Sequence, residues 1–83
     1  MAGRKNLTLL DKRGQRHGAH FNYKKIRSAV RRAQDLLISE GKYSQIYDSD
    51  REEVLAAMVK DSDGIHLLIV KRNTFAALWA KGG

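Results

Sequence analysis

The sequence predicts an α+β fold: a small antiparallel sheet of three or four strands packed against two helices, the first of them long and amphipathic. Three observations support this prediction. Residues 23–39 have helical periodicity, short apolar runs that suit strands lie on both sides of them, and turn-forming residues separate these runs. The chain of 83 residues contains no proline and no linker-like segment, so we expect residues 1–83 to form a single small basic domain.

The first predicted element is a β-hairpin. Residues 6–10 form a short apolar strand, and residues 15–21 form the returning strand. Between them lies the sequence Asp-Lys-Arg-Gly at residues 11–14. It suits a type I turn because the side chain of Asp11 can bond the turn amides and Gly14 tolerates a positive φ.

Residues 23–39 are predicted to form the long helix, which begins after Asn22 as N-cap and ends near Gly41. At 100° per residue, apolar side chains fall on one side of this helix and cations fall on the opposite side. The apolar side contains Ile26, Ala29, Val30, Ala33, Leu36 and Leu37. The cationic side contains Lys24, Lys25, Arg27, Arg31 and Arg32.

A second helix is predicted over residues 49–60, because Ser49 and Glu52 have the spacing of a capping box. Residues 61–64 suit a turn, and residues 65–70 form an apolar, β-branched run that predicts a well-covered strand. Residues 74–80 fit a helix or a final strand almost equally. The predicted core contains Ile26, Val30, Ala33, Leu37, Val54, Leu55, Met58, Leu67, Ile69 and Leu78.

Positive charge is concentrated in the first part of the chain. Residues 1–32 contain ten Lys or Arg and one acid, whereas residues 33–83 contain six Lys or Arg and eight acids, within a net charge of +7. Residues 1–5 are expected to form a flexible basic tail. A charge distribution that is polarised in this way favours a negatively charged partner.

Five cations on one helix face repel one another, and phosphates relieve that repulsion while releasing counterions. We therefore expect a non-enzymatic module that binds nucleic acid, either DNA or RNA, mostly through the phosphate backbone. If the hairpin lies beside the helix, the cations of both form one surface. The residues predicted to bind the partner are Lys12, Arg13, Arg16, Lys24, Lys25, Arg27, Arg31 and Arg32.

Other roles remain open for the same charges. The chain could be a small inhibitor or accessory protein of the phage or mobile-element type, docking on an acidic surface of a nucleic-acid-processing machine. The cationic face could also be solvated surface without a partner. An exposed edge strand near the C-terminus would permit a homodimer through sheet pairing.

We expect no catalytic residues, no metal and no cofactor. The chain has no cysteine, no nucleophile motif and no glycine-rich phosphate loop. His17 and His20 lie three apart, so in a strand they point to opposite faces and cannot share an ion. No apolar run is long enough to span a membrane, and the N-terminus lacks the apolar region of a signal peptide, so a cytoplasmic location is expected.

Overall fold

A computed structural model describes residues 6–82 of the chain. The α+β class is confirmed, but the sheet in this range has five strands where three or four were predicted. The expected basic tail of residues 1–5 lies outside the described residues. The strands are β1 (Leu7–Leu10), β2 (Arg16–Phe21), β3 (Ser44–Asp48), β4 (Glu53–Asp61) and β5 (Gly64–Ile69). The helices are α1 (Ile26–Glu40), which follows a 3₁₀ turn at Tyr23–Lys25, and α2 (Arg72–Gly82).

All neighbouring strands of the sheet are antiparallel, in the order β2-β1-β3-β4-β5. Both helices pack on the same sheet: α1 contacts the first four strands, and α2 contacts β4, α1 and the 3₁₀ turn. Leu7 and Leu9 of β1 are fully buried beneath the helices. Because side chains alternate along a strand, Leu10 belongs to the face that the helices do not cover. Neither α1 nor α2, the helices of residues 6–82, is long and apolar enough to cross a membrane.

The predicted hairpin between β1 and β2 is confirmed, with Asp11 in the predicted role. Its Oδ1 accepts hydrogen bonds from the backbone amides of Arg13 at 2.8 Å and Gln15 at 2.9 Å, and Gly14 has a φ of 82°. These bonds, led by that from Gln15, hold the pKa of the Asp11 carboxyl below its ordinary value. Local chemistry is therefore sufficient to form this turn.

The long helix is also confirmed, with differences at its start. Asn22 precedes the 3₁₀ turn, and its side chain makes no capping hydrogen bond. Because the 3₁₀ turn covers Tyr23–Lys25, Lys24 and Lys25 lie before α1 proper. The C-terminal end is as predicted. Gly41 is left-handed with a φ of 65°, and the amides of Gly41 and Lys42 donate to the carbonyls at the end of α1.

The second helix predicted over residues 49–60 is wrong, since this segment is a turn followed by β4. Oδ1 of Asp48 accepts hydrogen bonds from the amides of Asp50 and Arg51, which makes residues 49–52 a turn and not a helix start. The apolar run after it fits either a buried helix or a central strand, and periodicity does not separate the two. Because this run pairs with both β3 and β5, it forms a strand.

The core lies between the helices and the sheet. Four predicted core residues are buried: Ile26, Ala33, Leu55 and Met58. Five are half-buried: Val30, Leu37, Val54, Leu67 and Leu78. The prediction for Ile69 is wrong: it is 40% exposed because β5 is an edge strand of the described sheet. The core also contains Leu7, Leu9, Ile46, Ala56 and Phe75, which were not in the predicted set. Residues 74–80 are helical, within α2.

Candidate nucleic-acid interface

An open cleft of about 800 Å³ lies at the end of the sheet where β1 turns into β2. The hairpin turn forms one side of it, and the end of α1 with the segment that follows forms another. Four cations line the cleft: Lys12, Arg13, Lys42 and Lys60. One acid, Asp11, is among the lining residues, and its Oδ1 already accepts two backbone hydrogen bonds. The cleft is therefore predominantly cationic.

Tyr43 and His17 form the less charged part of this cleft. The ammonium of Lys12 lies 5.7 Å from the centre of the Tyr43 ring, a cation–π contact that positions the lysine over the ring. Nε2 of His17 lies 2.8 Å from the carbonyl oxygen of Tyr43, and because a carbonyl accepts, this nitrogen is the donor. Both contacts hold the β1–β2 hairpin against the segment that follows α1.

Lys42 has an intramolecular partner, but the pair is exposed. Its Nζ lies 3.2 Å from Oε1 of Glu40, and the two side chains are about half exposed. An exposed ion pair of this kind contributes between about 0 and 1 kcal/mol. A phosphate can therefore replace Glu40 as the partner of Lys42 at little cost.

The cleft contains only part of the predicted binding set. Lys12 and Arg13 line it, whereas Arg16 begins β2 opposite Leu10, at the face of the sheet that the helices leave uncovered. Lys42 and Lys60 were not predicted. No local pattern indicates them, because they lie far from the hairpin in sequence and meet it only through the pairing of the sheet.

The remaining predicted cations lie along α1. Lys24 and Lys25 occupy the 3₁₀ turn before it, and Arg31 and Arg32 are exposed on it. The 15 residues of α1 span about 22 Å at 1.5 Å per residue. Since the hairpin turn meets the opposite end of α1, the helix start and the hairpin do not form one compact cluster. The structure instead distributes cations from one end of α1 to the other.

Arg27 has a structural contact that the sequence did not indicate. Its guanidinium carbon lies 4.6 Å from the centre of the Trp79 ring, and Nη2 donates to the Trp79 carbonyl at 3.4 Å. Trp79 in turn stacks on Phe75, with ring centres 5.5 Å apart. Arg27 therefore connects α1 to α2, which distinguishes it from the other cations of α1.

A polar cluster lies at the end of the sheet remote from the cleft. Asp48 is fully buried, and its Oδ1 accepts a hydrogen bond from the Tyr23 hydroxyl at 2.7 Å. Burial, followed by this hydrogen bond, raises the pKa of Tyr23 above its ordinary value. Asn6 adds a hydrogen bond to Asp50 at 2.7 Å, so the cluster joins the start of β1 to the β3–β4 turn. We assign it a role in stability.

Within residues 6–82, no group of three or more His, Cys, Asp or Glu side chains is placed to hold a metal ion. No family model matches the chain, and no curated protein or solved structure matches it. The distribution of cations over the cleft and α1 is thus the feature on which a functional proposal depends.

Proposed function

We propose that this protein is a non-enzymatic nucleic-acid-binding module that contacts mainly the phosphate backbone. The cleft is the observation that carries the proposal, because Lys12, Arg13 and Lys60 line it together with Lys42. Closely placed cations gain binding free energy when they neutralise phosphates, since condensed counterions are released. The planar guanidinium of Arg13 also suits the geometry of a phosphate group.

A polymer fits this charge distribution better than a small anion does. Cations continue from the cleft along α1 to Lys24 and Lys25, a distance of about 22 Å. A compact anion would contact one end of this distribution and leave the other unneutralised. A nucleic acid carries one charge per phosphate along its length, so a single molecule can reach both ends. We expect weak sequence preference, because phosphate contacts carry no base information.

The test is a titration of labelled duplex DNA, single-stranded DNA and RNA at several salt concentrations. Lys60→Glu reverses a charge in the cleft, and Arg72→Glu reverses one at the exposed first residue of α2, the end of that helix remote from Lys24 and Lys25. We expect Lys60→Glu to weaken binding about tenfold at low salt, the typical effect of losing one charged hydrogen bond. On duplex DNA it should also reduce the magnitude of the salt slope by about 0.9.

The control variant Arg72→Glu should retain both the affinity and the salt slope of the unmodified protein. If Lys60→Glu binds as tightly as the control variant and has the same salt slope, the cleft does not contact phosphate. The melting temperatures of both variants should be measured first, because a folded Lys60→Glu variant is needed for the comparison.

A protein with an acidic surface is a second candidate partner, and one observation favours it. Ile38 is 61% exposed and lies seven residues after Arg31, which places both on the same stripe of α1. A stripe that combines an exposed apolar side chain with arginine is typical of protein interfaces. Failure to bind any nucleic acid at about 50 mM salt would favour this candidate, because phosphate binding is strong at low salt.

A further inference from the structure

The edge strand β5 lacks the features that normally prevent edge strands from pairing with other chains. Proteins usually protect such edges with lysine, proline or a bulge. The sequence of β5, Gly-Ile-His-Leu-Leu-Ile, contains none of the protective residues, and its pairing with β4 has no register shift. Leu68 is 54% exposed, and Val70, directly after the strand, is 53% exposed. The other edge of the described sheet differs, since β2 pairs irregularly with β1 and begins with Arg16.

The backbone of β5 shows which of its groups are available. The amide of Val70 donates to the carbonyl of Leu55 at 2.8 Å, so it points towards β4. In an antiparallel ladder this direction alternates from residue to residue. Ile65, Leu67 and Ile69 therefore direct their N–H and C=O groups away from β4, where residues 6–82 provide no further strand.

We propose that two copies of the chain pair through β5, antiparallel and about a twofold axis at Leu67. In this register Leu67 faces Leu67 of the second copy, and Ile65 faces Ile69. Three pairs then exchange hydrogen bonds, which uses all the outward backbone groups of the strand. The register keeps residues of the same sheet face together, so the two five-stranded sheets become one continuous sheet. The proposal does not depend on nucleic-acid binding.

The charges at the two ends of β5 identify the second copy as the partner. Asp61 ends β4 and Asp63 lies in the turn before β5, whereas Lys71 and Arg72 follow β5. Antiparallel pairing about Leu67 brings the turn that carries Asp63 close to the bend that carries Lys71 of the second copy, and the twofold axis repeats this contact. A parallel arrangement would place like charges together. The charges at the ends of β5 are therefore complementary to those of a second copy only when the two strands are antiparallel.

The rest of the fold leaves room for this pairing. After β5 the chain enters α2, which contacts β4, α1 and the 3₁₀ turn. It therefore lies over the sheet of its own copy and not beyond the edge of β5. Lys71 lies 3.6 Å from Oε2 of Glu53, and its side chain is half exposed, so its ammonium remains accessible to a second carboxylate.

Sedimentation velocity over a wide concentration range tests the proposal with two charge reversals. Asp63→Lys alone puts lysine against lysine across the axis, and Lys71→Asp alone puts aspartate against aspartate. We expect each variant to dimerise about tenfold more weakly, because two favourable cross-strand pairs become two repulsive ones. Mixed together, the two variants should form a heterodimer of nearly the original affinity, because both contacts then join opposite charges.

Arg32→Asp is the control. It changes the charge by the same amount as Lys71→Asp, but on the outer side of α1, so it should leave the dimer intact. Heterodimer formation by the mixed variants also shows that neither substitution has unfolded the chain. Amide exchange gives a second readout. The amides of Ile65, Leu67 and Ile69 should exchange slowly in concentrated protein and rapidly on dilution, whereas that of Leu68 should change little.

Three outcomes would overturn the proposal. If the chain sediments as a monomer at every concentration, β5 does not pair with a second copy, and a strand of a different protein would be its partner. A dimer that both charge reversals leave unchanged would form through another surface. A mixture of the two variants that fails to restore the dimer would show that Asp63 and Lys71 do not meet.

Discussion

The hydrogen bond from Tyr23 to Asp48 provides a sharp test of what holds this fold together. Asp48 is fully buried, and its carboxylate accepts the Tyr23 hydroxyl at 2.7 Å. The amides of Asp50 and Arg51 also donate to it, as does the Arg51 guanidinium at 3.3 Å. Tyr23→Phe removes the donor that comes from the 3₁₀ turn before α1, while the donors from the β3–β4 turn remain.

The size of the effect follows from these partners. A hydrogen bond to a charged group contributes about 1.5–3 kcal/mol to stability, and because Asp48 retains other donors we expect about 1.5–2 kcal/mol. In a domain of this size each kcal/mol corresponds to about 4–8 °C in melting temperature. Tyr23→Phe should therefore lower the melting temperature by about 6–16 °C.

The difference in stability between the unmodified protein and the Tyr23→Phe variant should also depend on pH. Burial and the hydrogen bond to Asp48 raise the pKa of Tyr23, so the folded state holds this proton more tightly than the unfolded chain does. The associated stability is complete below the ordinary tyrosine pKa of about 10 and is lost as the pH rises above it. The Phe variant has no proton to lose at this position, so in alkaline solution the stability of the unmodified protein should fall towards that of the variant.

Urea unfolding, monitored by circular dichroism, measures the loss of stability, and Tyr47→Phe is the matched control. Tyr47 lies next to Asp48 in β3, so its side chain points to the other face of the sheet. If Tyr23→Phe unfolds at the same urea concentration as Tyr47→Phe, the hydrogen bond to Asp48 makes no net contribution and the reasoning is refuted.

Four further predictions concern single substitutions. Ile46→Ala should destabilise the fold by about 2–5 kcal/mol in urea unfolding, because Ile46 is fully buried. Gly41→Ala should cost about 1 kcal/mol, since its φ of 65° is unfavourable for a residue with a Cβ atom. Arg27→Ala should lower stability by about 0.5–1 kcal/mol and change the fluorescence of Trp79, because a cation–π contact is lost. Arg31→Ala should leave stability unchanged or slightly higher, since it relieves repulsion between neighbouring arginines on α1.

The hairpin and the long helix could be predicted because their causes lie within a few residues. Asp11 bonds amides two and four positions later, and Gly14 supplies the positive φ of the same turn. The spacing of Ile26, Ala29 and Ala33 places all three on one side of a helix. Such short-range relations are visible in the sequence without knowledge of the rest of the fold.

The candidate site was only partly predictable. The sequence indicated Lys12 and Arg13 as well as the cations of α1, because their charge segregation is a local property. It did not indicate that Lys60 joins the cleft or that Arg27 packs on Trp79. Both contacts join segments far apart in the chain, so no spacing rule describes them.

By itself, the sequence determined the amphipathic α1, the first turn and the concentration of positive charge in residues 1–32. Tertiary structure decided that residues 53–61 form a strand, because a continuous apolar run becomes β4 only when β3 and β5 supply hydrogen bonds on both sides. It also decided where the charges lie, by placing the hairpin at the far end of α1 from Lys24 and Lys25. Helical periodicity is a property of neighbouring residues, whereas strand pairing and the separation of charges depend on residues distant in the chain.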